Sequence, residues 1–283
     1  MSAILQWLIL KRGTAPLVLC VPHAGIELPP PYSSRFLSPW LARKDTDWWV
    51  DRLYDFGAEL GATVVRTAIS RSVIDMNRDP SGRSLYPGQA TTELCPTTTF
   101  DGEPLYSPAD ASGHNSGAPD DEEIAARRQT FFEPYHRAVA DEVARLRSAF
   151  GRVVVYDCHS IRSRIPRLFA GTLPHFNVGT HGGVSCAAEL ASTVDGLCEA
   201  SGPSRVTNGR FRGGYTTRHY GRPSEGVHAI QMELACRGYM EEPEAVSAEN
   251  WPTGYDEKRA ASLRRTLRQV LEACIGFASA GGP

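Results

Sequence analysis

An apolar run that stops on a histidine constrains this chain more than any other feature: Val153-Val154-Val155-Tyr156 leads straight into Asp157-Cys158-His159-Ser160. Consecutive β-branched and aromatic residues of this kind make a strand buried on both faces, which is found in sheets covered by helices on both sides. In such open sheets ligands bind outside the carboxyl ends of the strands, so His159, read as just past the strand end, is a site candidate before it is a core residue. Two other runs finish the same way. Leu17-Val18-Leu19-Cys20-Val21 enters Pro22-His23-Ala24-Gly25, and Ala229-Ile230-Gln231-Met232 enters Glu233. Two imidazoles and a carboxylate at three strand ends suggest a metal.

The remaining pattern alternates strands with helices. Strands are expected at 1–10, 63–67 and 72–76 beside the runs at 17–21, 153–156 and 227–233. A first helix follows Asp45-Thr46-Asp47, with Val50, Leu53, Tyr54 and Leu60 on one face. A second opens on the acids at 120–123 and carries Phe131, Phe132, Tyr135, Val139, Val143 and Leu146 in one stripe, bent or divided by Pro134. Further helices are expected at 187–200 and 257–275. This order argues for a three-layer α/β/α fold with a mixed, largely parallel sheet, as one domain over 1–277 with a frayed tail at 278–283. Residues 79–118 are rich in Pro, Gly, Ser and Thr and show no period. A loop of that length with Tyr86, Phe100 and Tyr106 in it reads as a packed cover over a site.

Composition narrows the function. Thirty Lys+Arg against 32 Asp+Glu give a formal charge of −2, which offers no field for nucleic acid or an anionic membrane. No stretch is long and apolar enough to span a bilayer, and the apolar opening is followed, not preceded, by Lys11 and Arg12, unlike a signal peptide. Seven scattered cysteines without a CxxC pair point to a reducing cytoplasm and against a thiolate zinc site. No Gly-x-Gly-x-x-Gly or P-loop pattern supports a nucleotide. Gly183-Val184-Ser185-Cys186-Ala187 approximates a nucleophile elbow, but the preceding 177–182 is a poor strand and the last Gly is missing.

His23, His159 and one carboxylate would leave an open coordination position, as a catalytic zinc requires. Glu27, four residues after His23, competes for the third place with Asp47 at the start of the first helix. Gly25 and Pro29-Pro30 disfavour a helical pair with Glu27, so Asp47 is preferred, with Asp45 as its close neighbour. Asp157 could orient an imidazole. Arginines are the second theme: Arg71 and Arg78 flank the expected strand 72–76, Arg162 and Arg164 follow His159, and Arg218 lies in a Gly-rich stretch. A guanidinium fork suits a carboxylate ligand, while a surface ion pair is the plainer reading of any one of them.

Taken together, the segments Val21-Pro22-His23-Ala24-Gly25, Asp45-Thr46-Asp47-Trp48, Ser70-Arg71-Ser72-Val73-Ile74-Asp75-Met76-Asn77-Arg78, Pro134-Tyr135-His136, Asp157-Cys158-His159-Ser160-Ile161-Arg162, Asn208-Gly209-Arg210-Phe211, Thr217-Arg218-His219-Tyr220-Gly221 and Gln231-Met232-Glu233-Leu234 resemble the N-formylglutamate amidohydrolase (deformylase) family. They run in order from about residue 16 to residue 240. That family is similar to the zinc carboxypeptidases in its α/β core, a phosphorylase/hydrolase-like architecture. The resemblance implies one divalent metal ion, most simply zinc, on His23, His159 and a third ligand. It implies Glu233 as general base with Arg162 beside it in catalysis, and Arg71, Asn77, Arg78 and Arg218 on a dicarboxylate substrate. Ile26 stands where the carboxypeptidase His-x-x-Glu spacing has its acid, which is why Asp47 enters.

The reaction implied is hydrolysis of N-formyl-L-glutamate to formate and L-glutamate, the last step of one route of histidine breakdown. Two rivals remain at this level: a metal-dependent deacylase or carboxypeptidase-like hydrolase of another N-acyl amino acid, and a non-catalytic dicarboxylate-binding protein. Pocket size separates the first, with Trp48, Trp49 and Tyr215 as candidates to close the acyl space. Glu233 separates the second, because a carboxylate in an arginine-lined anion site is counterproductive unless a metal or a proton transfer requires it.

Overall fold

The protein is described by a computed structural model covering residues 6–108 and 117–280. Seven strands form one mixed sheet: β1 (Leu8–Lys11), β2 (Leu17–Val21), β3 (Thr63–Thr67), β4 (Val153–Ile161), β5 (Phe176–Gly179), β6 (Arg205–Thr207) and β7 (Val227–Ala235), in the order β1-β3-β2-β4-β7-β5-β6. The central β3-β2-β4-β7 block is parallel; β1 joins β3 and β5 joins β7 antiparallel. Seven α-helical segments accompany it: α1 (Pro30–Ser33), α2 (Val50–Leu53), α3 (Asp121–Arg127), α4 (Glu133–Phe150), α5 (Ala188–Ala200), α6 (Tyr215–Tyr220) and α7 (Glu257–Ser279).

Alternation along the central strands builds two cores. Leu17, Leu19, Tyr156, Ile230 and Met232 pack on one face with α2, α5 and α7, whereas Val18, Cys20, Val153, Val155, Val227 and Ala229 face α4 and the turn before it. The result is three layers, helix on sheet on helix. The second face changes character toward the carboxyl ends of β4 and β7. After Val153 and Val155 the same face presents Asp157 and His159, and after Val227 and Ala229 it presents Gln231 and Glu233.

Several elements depart from the pattern read in the sequence. Both β4 and β7 run nine residues, so His159 and Glu233 lie within strands and not beyond their ends. The ladder is a backbone structure, and it continues as long as the polar side chains on it satisfy one another. Residues 72–76 are a series of turns and not a strand. Their backbone groups go partly to side chains and partly to other loops: Ser72 N donates to Ser70 Oγ and Asp75 N to the carbonyl of Leu94, while Arg127 and His136 reach the carbonyls of Val73 and Met76. The first helix shrinks to one α turn, Val50–Leu53, followed by a 3-10 turn. Gly57 there lies so close to Leu19 that a Cβ would be 2.4 Å from its Cδ1, and Gly61 takes a positive φ.

The long second helix is interrupted by a π turn at Arg128–Phe132, and Pro134 falls in the first turn of the helix that resumes. Of the run at 177–182, a poor strand by composition, residues 177–179 belong to β5 and the rest turns away. At the carboxyl end α7 extends to Ser279 and buries Ala278, later than the expected end at 275. Residues 1–5 of the expected first strand, part of the 79–118 stretch and the last three residues lie outside the described residues.

Candidate active site

The parallel pairing of β4 with β7 sets His159 directly opposite Glu233. His23 follows β2 by two residues, and its ring centroid is 4.8 Å from that of His159. Asp47 returns from the loop before α2, its own N–H donating to the carbonyl of His23 at 3.0 Å. His23, Asp47 and His159 are all buried, and one ligand atom from each lies within 4.8 Å of the others.

Each imidazole is held from behind by a carboxylate. His23 Nε2 lies 2.6 Å from Asp75 Oδ1, and His159 Nε2 lies 2.9 Å from Asp157 Oδ2, an oxygen that also accepts from Asn77 Nδ2. Both Nδ1 atoms therefore turn toward Asp47 Oδ2, at 3.7 Å from His23 and 3.1 Å from His159. His23 Nδ1 has no hydrogen-bond partner. Lone pairs gathered around one point, with an orphaned buried nitrogen among them, fit a divalent cation with His/Asp/His ligation, and the carboxylate behind each ring is the support such ligands usually have.

Charge in the site fits the same reading. Burial opposes the charged form of Asp75, yet Arg78, His23 and Arg71 hold it well below the usual carboxylate range. Burial also works against ionised Asp47, and the hydrogen bond from His159 with the nearby His23 ring reverses that effect. Burial alone would weaken the imidazolium of His159, but Asp157 and Asp47 raise its pKa well above the ordinary value. Glu233 is pushed by burial up to about 8, with His159 pulling the other way and Asp47 adding to the rise. Without a cation His159 and Glu233 favour their protonated forms while Asp47 and Asp75 stay ionised, and a divalent ion would displace the proton of the imidazole.

His23 and His159 line a cavity whose walls include Arg71, Asn77, Arg78, Arg210, Gln231 and Glu233. Tyr86 and residues 90–92 of the long loop form one wall, and Tyr86 Oη donates to the carbonyl of Gly213 at 2.8 Å. Phe100 and Ile161 close the apolar side; Arg71 stacks on Phe100, 4.7 Å from its centroid. Gly214 cannot be larger, because a Cβ there would lie 2.4 Å from Asn77 Nδ2. Residues 15–240 match the family model described as N-formylglutamate amidohydrolase.

The chain belongs to that family. It is 42% identical over 268 residues to the N-formylglutamate deformylase of Pseudomonas aeruginosa, covering 94% of this chain and 95% of the relative. It is 43% identical over 267 residues to the protein of the same description in Pseudomonas putida, covering 94% of each. Among solved structures, an N-formylglutamate amidohydrolase from Ralstonia eutropha JMP134 superposes with a TM-score of 0.72 at 24% identity, covering 97% of both chains. A gene product of Agrobacterium tumefaciens superposes with a TM-score of 0.66 at 18% identity, covering 95% of both. At these identities the two structures speak for a shared fold.

Within this member of the family, the residues singled out in the sequence divide into two groups. His23, Asp47 and His159 meet, and Glu233, Arg71, Asn77 and Arg78 line the cavity beside them. Of the rival ligands, Glu27 is exposed, and Asp45 turns away to accept from Phe100 N at 2.6 Å. Arg162 is absent from the cavity wall: its Nη2 pairs with Asp101 at 2.6 Å and approaches Asp45 at 3.5 Å. Arg218 is absent too, its Nε donating to the carbonyl of Gly213 while the guanidinium lies 5.0 Å from the Tyr86 ring. Trp48, Trp49 and Tyr215 also stay out of the wall, and both tryptophans pack on the opposite core. Sequence reasoning passed over Arg210 and Gln231, and did not give Asp75 its role behind His23. Arg210 carried a faint signal, as an arginine in the Gly-rich connection between β6 and α6.

Proposed function

We propose that this chain hydrolyses N-formyl-L-glutamate to formate and L-glutamate, with one divalent metal ion, most simply zinc, on His23, Asp47 and His159. The observation that carries this reading is the meeting, in one cavity of a chain from this family, of an open three-ligand set, a buried carboxylate and several guanidinium groups. The deformylase description of relatives 42–43% identical over nearly the whole length supports the substrate. It supports too a place at the end of a histidine degradation route. Seven free, buried cysteines favour a reducing cytoplasm, and no helix of the described residues is long and apolar enough to cross a membrane.

When bound, the metal polarises the formyl oxygen and makes water a stronger acid. Glu233 takes the proton from the attacking water as its oxygen bonds to the formyl carbon, then delivers that proton to the amine nitrogen as the C–N bond breaks. Arg71, whose Nη1 is 3.3 Å from Asp47 Oδ1 and which lines the cavity where Arg162 does not, is the guanidinium we assign to charge developing on the formyl oxygen. Arg78 and Asn77 are suited to the α-carboxylate of the substrate. Phe100 and Ile161 line the same cavity as His23 and His159, and an apolar wall there suits a formyl hydrogen.

The direct experiment is an assay of purified protein with N-formyl- and N-acetyl-L-glutamate. Formate release is expected to be far faster than acetate release; the reverse order would reject the substrate assignment. A second measurement separates the arginines. Arg71→Gln should lower kcat roughly 100- to 1,000-fold, while Arg162→Gln, acting on an ion pair outside the cavity, should change it by less than about tenfold. Equal losses in the two variants would return Arg162 to the chemistry.

A further inference from the structure

Arg210 differs from the other cavity arginines in its counter-charge. Arg71 is shared between Asp47 and Asp75, and Arg78 Nη1 lies 3.7 Å from Asp75. Around Arg210, among the described residues, no carboxylate comes within ion-pair distance. Its Nε donates to the carbonyl of Leu168 and its Nη2 to that of Ala90, both at 2.7 Å. Two backbone carbonyls fix the plane of the fork and leave its remaining N–H groups for the cavity. The rings of Tyr86 and Phe211 flank it at 5.4 and 5.3 Å.

The mount is rigid. Asn208, in a left-handed conformation, accepts from the N–H of Thr180 and of Gly182 and donates to Thr180 Oγ1, while a Cβ at Gly209 would lie 3.0 Å from Val206 Cγ2. Burial pushes the Arg210 pKa down, as befits a cation short of compensating charge. A half-buried guanidinium held in this way, without an acid, is costly unless something anionic enters the cavity.

We infer that Arg210 holds the side-chain carboxylate of the substrate and is the residue that selects a glutamyl over an uncharged acylated amino acid. This rests on the N-formylglutamate reading above and deepens it. The α-carboxylate is attached to the carbon that bears the formamide nitrogen, so it stays near Glu233 and is served by Arg78, on the segment that also carries Asp75. The second carboxylate lies further along the chain of the substrate and reaches the wall formed by Leu168, Phe211, Tyr86 and Ala90, where Arg210 is the uncompensated cation. A dianion thereby meets one guanidinium at each end, and Arg218 is not needed.

The test compares N-formyl-L-glutamate with N-formyl-L-glutamine on the metal-loaded protein, unmodified and as Arg210→Gln and Arg210→Lys. The unmodified protein should favour the glutamyl compound in kcat/KM by about a thousandfold or more, as expected when a charged partner would be left unpaired. In Arg210→Gln most of that preference should vanish through a rise in KM for the glutamyl compound, with kcat/KM for the glutaminyl compound within about fivefold of the starting value. Arg210→Lys keeps the charge but not the fork and should lose about tenfold in preference; it carries the comparison if the Gln variant does not fold. Calorimetric titration with L-glutamate should show weakened binding in both variants, and L-glutamine should not distinguish them. A preference that survives in the variants, or an equal fall for both substrates, overturns the assignment of Arg210 alone. Absence of formate release from either compound by the unmodified protein overturns the underlying function instead.

Discussion

Glu233→Gln is expected to lower kcat for formate release roughly a thousandfold or more, with KM for N-formyl-L-glutamate and bound metal nearly unchanged. The substitution keeps shape and a hydrogen-bonding capacity beside Gln231, whose amide lies 3.5 Å from Glu233 Oε2. It removes the one capacity the proposed chemistry uses twice, accepting the proton of water and returning it to the departing nitrogen. Burial that pushes this carboxyl up to about 8 makes its ionised form a stronger base than a surface glutamate, so the loss should exceed that of an ordinary polar contact. Steady-state kinetics together with metal analysis on one preparation separate the outcomes. A kcat within tenfold of the original would show that another group moves the proton.

The parts of this fold that the sequence expresses through apolar pattern were legible in it. The uninterrupted runs of β2 and β3 have the expected bounds, and the two central runs locate β4 and β7. Their last residues were not legible, because Asp157, His159, Gln231 and Glu233 are strand by backbone and site by side chain. Periodicity reads burial of apolar groups, whereas here polar groups are buried and satisfied by each other. The turns at 72–76 failed for the opposite reason. Val73, Ile74 and Met76 are as buried as strand residues, but the side chains that bond the carbonyls of Val73 and Met76, Arg127 and His136, come from α3 and α4, more than 50 positions away.

The arginines show the same limit at the site. Proximity to His159 in sequence favoured Arg162, yet along a strand the next residues alternate in face, and the chain beyond β4 carries Arg162 to Asp101. Arg210 is 51 residues beyond His159, and only the crossing of the β6–α6 connection over the cavity brings it there. Spacing arguments hold only where the element between two groups is read correctly, and 72–76, expected as a strand between Arg71 and Arg78, is a series of turns that brings both to the cavity. They fail where loops from separate layers meet.

Removing the proposed metal should abolish turnover, and the charges of its ligands indicate how the loss will look. Treatment with a strong chelator, or His159→Ala, is expected to reduce formate release by at least about a thousandfold, since the unassisted water would have an ordinary, high pKa. Adding zinc back should restore the chelated protein and not the variant. Binding of the ion should release protons, because His159 is held protonated by Asp157 and Asp47 and Glu233 retains a proton to about pH 8 while the site is bare. The imidazole must surrender its proton to ligate, so metal affinity should fall as the pH is lowered. Titration calorimetry in two buffers of different ionisation enthalpy measures that release. Metal uptake without proton release, or full activity in protein shown by elemental analysis to be metal-free, would mean that the three side chains at 23, 47 and 159 are a hydrogen-bonded cluster and that Glu233 works on water without assistance.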